Sequence, residues 1–257
     1  TAQQRYQEFP SQEMIYVVGN EQNYHFQVLK LILKKLGFSW AETIAHLSYG
    51  MVELPEGKMK SREGTVVDAD ELLLGMVNTA KETSMELGKL EEMPFQEQEQ
   101  LFEMLGLGAI KYFILKVDPK KTMLFDPNES IDFNGNTGPF IQYSYARIKS
   151  VLRKANEQGI TSKLTDAVLM DKEIDIIKIL NDYPVRIKEA GDAHSPALIA
   201  NFAFELAKEF NHFYHEVSVL KEPDVAKLHL RLLILEQVAK VLTSAMEILG
   251  ITLPERM

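Results

Sequence analysis

The 257 residues include no cysteine, so neither a disulfide nor a thiolate zinc site is possible. No secretory signal peptide is present, and the expected compartment is the cytoplasm. No apolar run approaches the ~20 residues needed to span a bilayer. No carboxylate or histidine set stands at metal-ligand spacing, so no resident metal is expected. Basic residues are outnumbered 28 to 37, leaving a formal net charge of -9, and this balance argues against an unspecific nucleic-acid binder. Specific recognition remains open, because local patches rather than net charge set such contacts. Lys111, Lys116, Lys120 and Lys121 form one local excess of positive charge, and Arg147, Lys149, Arg153 and Lys154 form another.

What is present reads as two styles of chain. Residues 1–12 are polar and open without methionine, so a longer parent chain is expected. Residues 14–18 read as a buried strand. From Tyr24 the spacing of Phe26, Leu29, Leu33 and Leu36 predicts a helix ending at Gly37, with Lys34 and Lys35 in its last turn, where cations suit the helix dipole. Residues 44–52 read as a second strand. Residues 54–64, LPEGKMKSREG, then place Lys58, Lys60 and Arg62 on a loop bounded by Pro55, Gly57 and Gly64, with a β-branched run at 65–67 beyond it. Three cations where backbone can bend suit a polyphosphate, although such a loop alone also reads as a solvated turn. Strand, helix, strand and cationic loop make an α/β fragment.

From Asp70 the pattern is helical throughout. Asp68 or Asp70 can cap a helix carrying Leu72, Leu73, Met76 and Ala80. Residues 82–103 read as an acidic, solvated helix pair broken at Pro94, and 101–117 as a further helix. Asn134 and Gly135 form a turn, Thr137 can cap, and Pro139 sits in the first turn of the helix that follows. Further helices are predicted over 171–180, 183–189, 195–214 and 224–249. The last of these places Leu228, Leu232, Leu235, Val238, Leu242, Ala245 and Leu249 on one inward stripe, and Gly250 stops it. The fold class is therefore mainly α, a helical bundle preceded by a small α/β element.

Several segments in one order carry a resemblance: YVVGNEQNYHF, AHLSYGMV, GKMKSREGTVVDADELL, FNGNTGPFIQYSYARIKSVLRKA and ILGITLPERM. Together they resemble the second half of an arginyl-tRNA synthetase, a class I aminoacyl-tRNA synthetase. The resemblance implies the C-terminal part of a Rossmann-type catalytic domain over 1–68, a helical stem over 69–130 and a helical anticodon-binding domain over 131–257. It implies ATP, with its magnesium, L-arginine and tRNA(Arg) as partners, with neither membrane nor DNA. The cationic loop is similar to the family's KMSKS element, matching at Lys58, Met59, Arg62 and Gly64. It departs where Lys60 stands for serine and Ser61 for the second lysine, which leaves open whether Lys58 or Lys60 meets the triphosphate. Gln22 is implied for substrate arginine, and His25, Gly50, Met51 and Val52 for the nucleotide. Phe140, Tyr143, Arg147 and Met257 are implied for tRNA. From the residues alone, Phe140 and Tyr143 at helical spacing read as core more readily than as a stacking platform. The other class I signature, H-x-G-H, does not occur, so the isolated chain is expected to be inactive. Two further readings stay open: a non-catalytic tRNA-binding or scaffold paralogue, and a cysteinyl-type relative.

Overall fold

A computed structural model describes residues 1–53, 68–86 and 93–257. It divides into two compact units, one of Thr1–Glu53 with Asp118–Leu124, the other of the described residues of Leu54–Val117 with Phe125–Met257.

In the first unit, helix α1 (Ala2–Glu8) precedes strand β1 (Met14–Gly19), helix α2 (Asn23–Lys35) and strand β2 (Ile44–Tyr49). β1 and β2 pair in parallel from Met14↔Ile44 to Gly19↔Tyr49, with α2 as the crossover that a parallel connection requires. A second parallel pair joins β3 (Val52–Glu53) to β4 (Met123–Leu124). The expected single strand over 44–52 is thus two, and Gly50 marks the break. Its N–H donates to the Pro119 carbonyl at 2.7 Å. A Cβ there would stand 2.3 Å from the backbone of Lys121, so only glycine lets the two segments approach this closely. The core is small: Ala2, Leu33, Trp40, Ala41 and Ile44, with Tyr6 stacked on Trp40 at 4.8 Å between ring centroids. At its edge Glu42 pairs with both Lys30 and Lys34 at 3.0 Å. Hydrogen bonds from Lys34 and then Lys30 hold the Glu42 carboxyl below the usual glutamate range.

The second unit is helical: α3 (Ala69–Glu86), α4 (Phe95–Leu115), α5 (Pro127–Ser130), α6 (Gly138–Glu157), α7 (Asp171–Ala193), α8 (Pro196–Glu216) and α9 (Val225–Ile248). Local chemistry sets several of the starts. Asp68 accepts from the Asp70 N–H at 2.8 Å, and Asp224 accepts from Ala226 N–H at 2.9 Å, each satisfying a donor that the first helical turn leaves unpaired. α4 begins at Phe95, earlier than the start near 101 that the apolar spacing suggests. α7 is one helix where two were expected. Pro184 lies inside it and removes one intrahelical bond, yet Ile176, Tyr183 and Ala190 are buried on either side of it. Side-chain burial of that stripe outweighs the local break.

α6, α8 and α9 share the main core, in which Ile141, Ile148, Leu206, Phe210, Leu235 and Leu242 are fully buried. All seven residues of the expected α9 stripe are buried. α4 and α6 meet backbone to backbone, since a Cβ on Gly138 would stand 2.5 Å from the Gly108 carbonyl oxygen. One charge cluster is also interior. Arg231 is bonded to Glu173 at 2.6 Å and to Glu222, linking α9, the first turn of α7 and the 219–222 turn.

Candidate functional site

α6 builds the site. Thr137 accepts from the Phe140 N–H at 3.2 Å and Pro139 lies in the first turn, so the helix starts where the sequence specifies. The inward face carries Ile141, Tyr145 and Ile148. Tyr143, Arg147 and Arg153 look the other way, into a cleft of about 790 Å³ that Tyr214 of α8 and Arg256 and Met257 also line. The lining holds three arginines, Arg147, Arg153 and Arg256, against two acids, Glu97 and Glu157. The chain's overall negative charge is therefore reversed at this place.

Arg147 is the centre of the cleft. Its guanidinium carbon lies 4.8 Å from the Tyr143 ring centroid and 5.0 Å from that of Tyr214, within cation–π reach of both. A hydrogen bond to Asn211 Oδ1 at 2.5 Å fixes its plane. Asn211 is itself oriented, donating from Nδ2 to Ser144 Oγ at 2.6 Å and to the Ala207 carbonyl at 2.9 Å. Ser144 Oγ donates in turn to the Phe140 carbonyl at 2.7 Å. A cation and two rings locked by a buried polar chain form a rigid platform for a π-face and for phosphate.

The segment after α9 completes the cleft. Gly250 ends the helix in the left-handed region, and Ile251 and Pro254 are buried. Lys111 Nζ donates to the Gly250 carbonyl at 2.6 Å, and Gln142 Nε2 to the Thr252 carbonyl at 2.8 Å. Lys149 pairs with the Glu255 carboxylate at 3.0 Å. That carboxylate raises the Lys149 ammonium above the usual lysine range. The pair's contribution is present below the ordinary lysine value and lost only as pH rises through the raised one.

The first unit brings a second set of residues to one edge. Gln22 follows the carboxyl end of β1, and Gly50, Met51 and Val52 follow that of β2. In a parallel sheet this is the edge where ligands bind. Gln22 and His25 are exposed. The Gly50 N–H and the Met51 carbonyl are engaged by Pro119 and Met123. Lys58, Met59, Lys60 and Arg62 lie outside the described residues. Among the described residues, no group of His, Cys, Asp and Glu could hold a metal ion, and no helix is long and apolar enough to cross a membrane.

Comparison with known proteins decides the lineage. Residues 1–126 match the family model of class I (R) tRNA synthetase catalytic domains, and residues 141–257 match the DALR anticodon-binding domain. The arginine–tRNA ligases of Parabacteroides distasonis and Phocaeicola vulgatus are 58% and 57% identical over the whole chain. The chain belongs to the arginyl-tRNA synthetase family. It spans less than half of those two relatives, 44% and 43% of their lengths. Among solved structures, Thermus thermophilus arginyl-tRNA synthetase superposes with a TM-score of 0.86 at 29% identity, covering 96% of this chain and 41% of that one. The Plasmodium falciparum enzyme, at 24% identity and a TM-score of 0.80, covers 100% of this chain and 44% of its own and shares the fold.

Of the residues that the arginyl family's motifs point to, the structure brings Tyr143, Arg147 and Met257 into one cleft. Phe140 is elsewhere, half-buried against Phe204 of α8 with ring centroids 5.3 Å apart. Tyr214 and Arg256 join the cleft without having been singled out. Tyr214 sits in no motif, and only the packing of α8 against α6 brings its ring to Arg147. Arg153 was legible as part of a basic cluster. Lys116, from the other cluster, turns inward to donate to the Asn136 carbonyl at 2.9 Å, and burial lowers its ammonium from the usual range.

Proposed function

We propose that this chain supplies the later part of the catalytic domain and the anticodon-reading domain of an arginine–tRNA ligase acting in the cytoplasm. The observation that carries the proposal is the cleft, where Arg147 is held between Tyr143 and Tyr214 with Arg153, Arg256 and Met257 around them. Splayed anticodon-loop bases have π-faces for the rings and phosphates for the arginines, which is how single-stranded RNA is held. The catalytic domain covers residues 1–68, a helical stem 69–130, and the reading domain 131–257.

The reaction is attack by the arginine carboxylate on the α-phosphate of ATP, with pyrophosphate leaving, followed by transfer to tRNA(Arg). Charge growing on the leaving oxygens calls for a cation that can grip and then release. Lys58 is the first candidate, Lys60 the second, and Arg62 holds phosphate or braces the loop. Magnesium enters with ATP. Gln22 accepts from the substrate guanidinium, and His25, with Met59 and the backbone of Gly50, Met51 and Val52, meets the nucleotide.

Two measurements test this reading. The chain is titrated with tRNA(Arg) and with the same tRNA carrying a replaced anticodon, over a range of salt. Selective binding that weakens with salt is expected. Equal binding to both overturns anticodon reading by this chain alone and returns the aromatic residues of α6 to a packing role. In the full-length enzyme, Lys58→Ala is expected to cost ~2.7–4 kcal/mol of transition-state stabilisation, a slowing of roughly a hundredfold or more. A threefold effect returns the loop to a solvated turn.

A further inference from the structure

Lys149 lines no part of the cleft in which Tyr143 and Arg147 lie. It projects from α6 toward a separate groove whose other wall is Glu236, Lys240 and Glu247 of α9. Yet it holds the Glu255 carboxylate at 3.0 Å, one residue before Arg256 and two before Met257, which do line the cleft. Arg153 adds a longer bond to the Glu255 carbonyl, 3.4 Å. The preceding residues are anchored independently, by Lys111 on the Gly250 carbonyl and Gln142 on the Thr252 carbonyl. Those two bonds fix the path of the segment as far as Thr252. Beyond it, the Lys149–Glu255 pair is the only side-chain ion pair found for 253–257 among the described residues.

We infer that Lys149 is a positioning residue for nucleic-acid binding: through Glu255 it sets where Arg256 and Met257 stand, and so closes one wall of the cleft without touching the ligand. The inference rests on the anticodon-reading role given above. A half-exposed pair of this kind is a weak tether, worth about two- to fivefold in an equilibrium. That is enough to set the occupancy of one wall, and too little to hold the bundle together.

The test is a charge exchange in the full chain with two readouts. The first is the 13C-methyl resonance of Met257 in the free protein, assigned by its loss in Met257→Leu; it reports whether the segment is seated. The second is affinity for tRNA(Arg). Lys149→Glu and Glu255→Lys are each expected to sharpen the methyl line toward that of a mobile residue and to weaken binding by about two- to fivefold or somewhat more. The double variant K149E/E255K is expected to restore both. Because it also restores net charge, K154E/E255K serves as the control: Lys154 is exposed on the same helix, and this variant is expected to restore neither.

Weakened binding in K149E with the methyl still seated overturns the inference, since Lys149 would then act on the RNA directly. A released methyl with unchanged affinity overturns it too, because the segment would not belong to the reading surface. Equal rescue by K154E/E255K reduces the effect to net charge. Failure of the unaltered chain to bind tRNA(Arg) at all sinks the anticodon reading itself, which no result on K149E alone would do.

Discussion

The two units differ in how much core each has to stand on. In the helical unit Leu206, Phe210, Leu235 and Leu242 are fully buried in a large shared interior, and the interior Arg231 and Glu173 are paired. The α/β unit has a core of five buried residues and leaves Val17 65% and Leu31 60% exposed, on β1 and α2. Apolar faces of that extent on a sheet and its crossover helix are surfaces that ordinarily meet other elements. The lesson is that the carboxyl edge of a parallel strand pair and a large core are separable. The strand ends and the Gly50 turn are in place although the described residues pair only as β1 with β2 and β3 with β4, whereas the cleft around Arg147 stands on a large core.

The difference makes a first measurement direct. Trp40, the only tryptophan, is buried in the α/β unit, while most helix lies in the other. Trp40 fluorescence is therefore expected to lose its native signal at lower denaturant than the far-ultraviolet circular dichroism does; coincident curves would mean one cooperative unit and would break the comparison.

Substitutions sharpen it in descending order of effect. Arg231→Leu leaves Glu173, in the interior, without its cation, and is expected to destabilise the helical unit by about 3–5 kcal/mol, read from the dichroism midpoint, with little change in the Trp40 transition. Gly50→Ala drives a methyl group into the Lys121 backbone and is expected to do the reverse, shifting the Trp40 transition by roughly 1–3 kcal/mol. Tyr214→Ala removes one ring from Arg147 and is expected to weaken tRNA(Arg) binding by ~1–3 kcal/mol, with no change in the Trp40 transition. Smallest is Glu42→Gln. The folded-state carboxyl titrates below its ordinary value, so its contribution is present above that value and is lost as pH falls through the lowered one. The pair is exposed, so the substitution is expected to leave the Trp40 transition nearly unmoved at neutral pH, and added salt to erase what shift there is.

Much of this was legible in the residues. Caps at Asp68 and Thr137 and the seven-residue stripe of α9 follow from short-range rules, and each stands as expected. The strand expected at 14–18 forms but is not buried, since Ile15 and Val17 on one of its faces are exposed. The misses share a cause. Residues 171–180 and 183–189 read as two helices because the signals there are local, while the buried stripe that runs them together across Pro184 is tertiary. Gly50 reads as the interior of a strand, because the partner that turns the chain there lies at 119–123. Phe140 and Tyr143 read as a pair, but three residues along a helix is a rotation large enough to put one ring against Phe204 and the other in the cleft.

The sequence by itself determined the family, the order of the segments, where most helices start and which side of each is apolar, because capping, periodicity and turn chemistry act within a few neighbouring residues. Only the tertiary structure decided that Arg147, Tyr214 and Met257 form one site and that Lys149 reaches Glu255. Those residues belong to three different segments, and their meeting depends on how α6, α8 and the segment after α9 are held against a shared core.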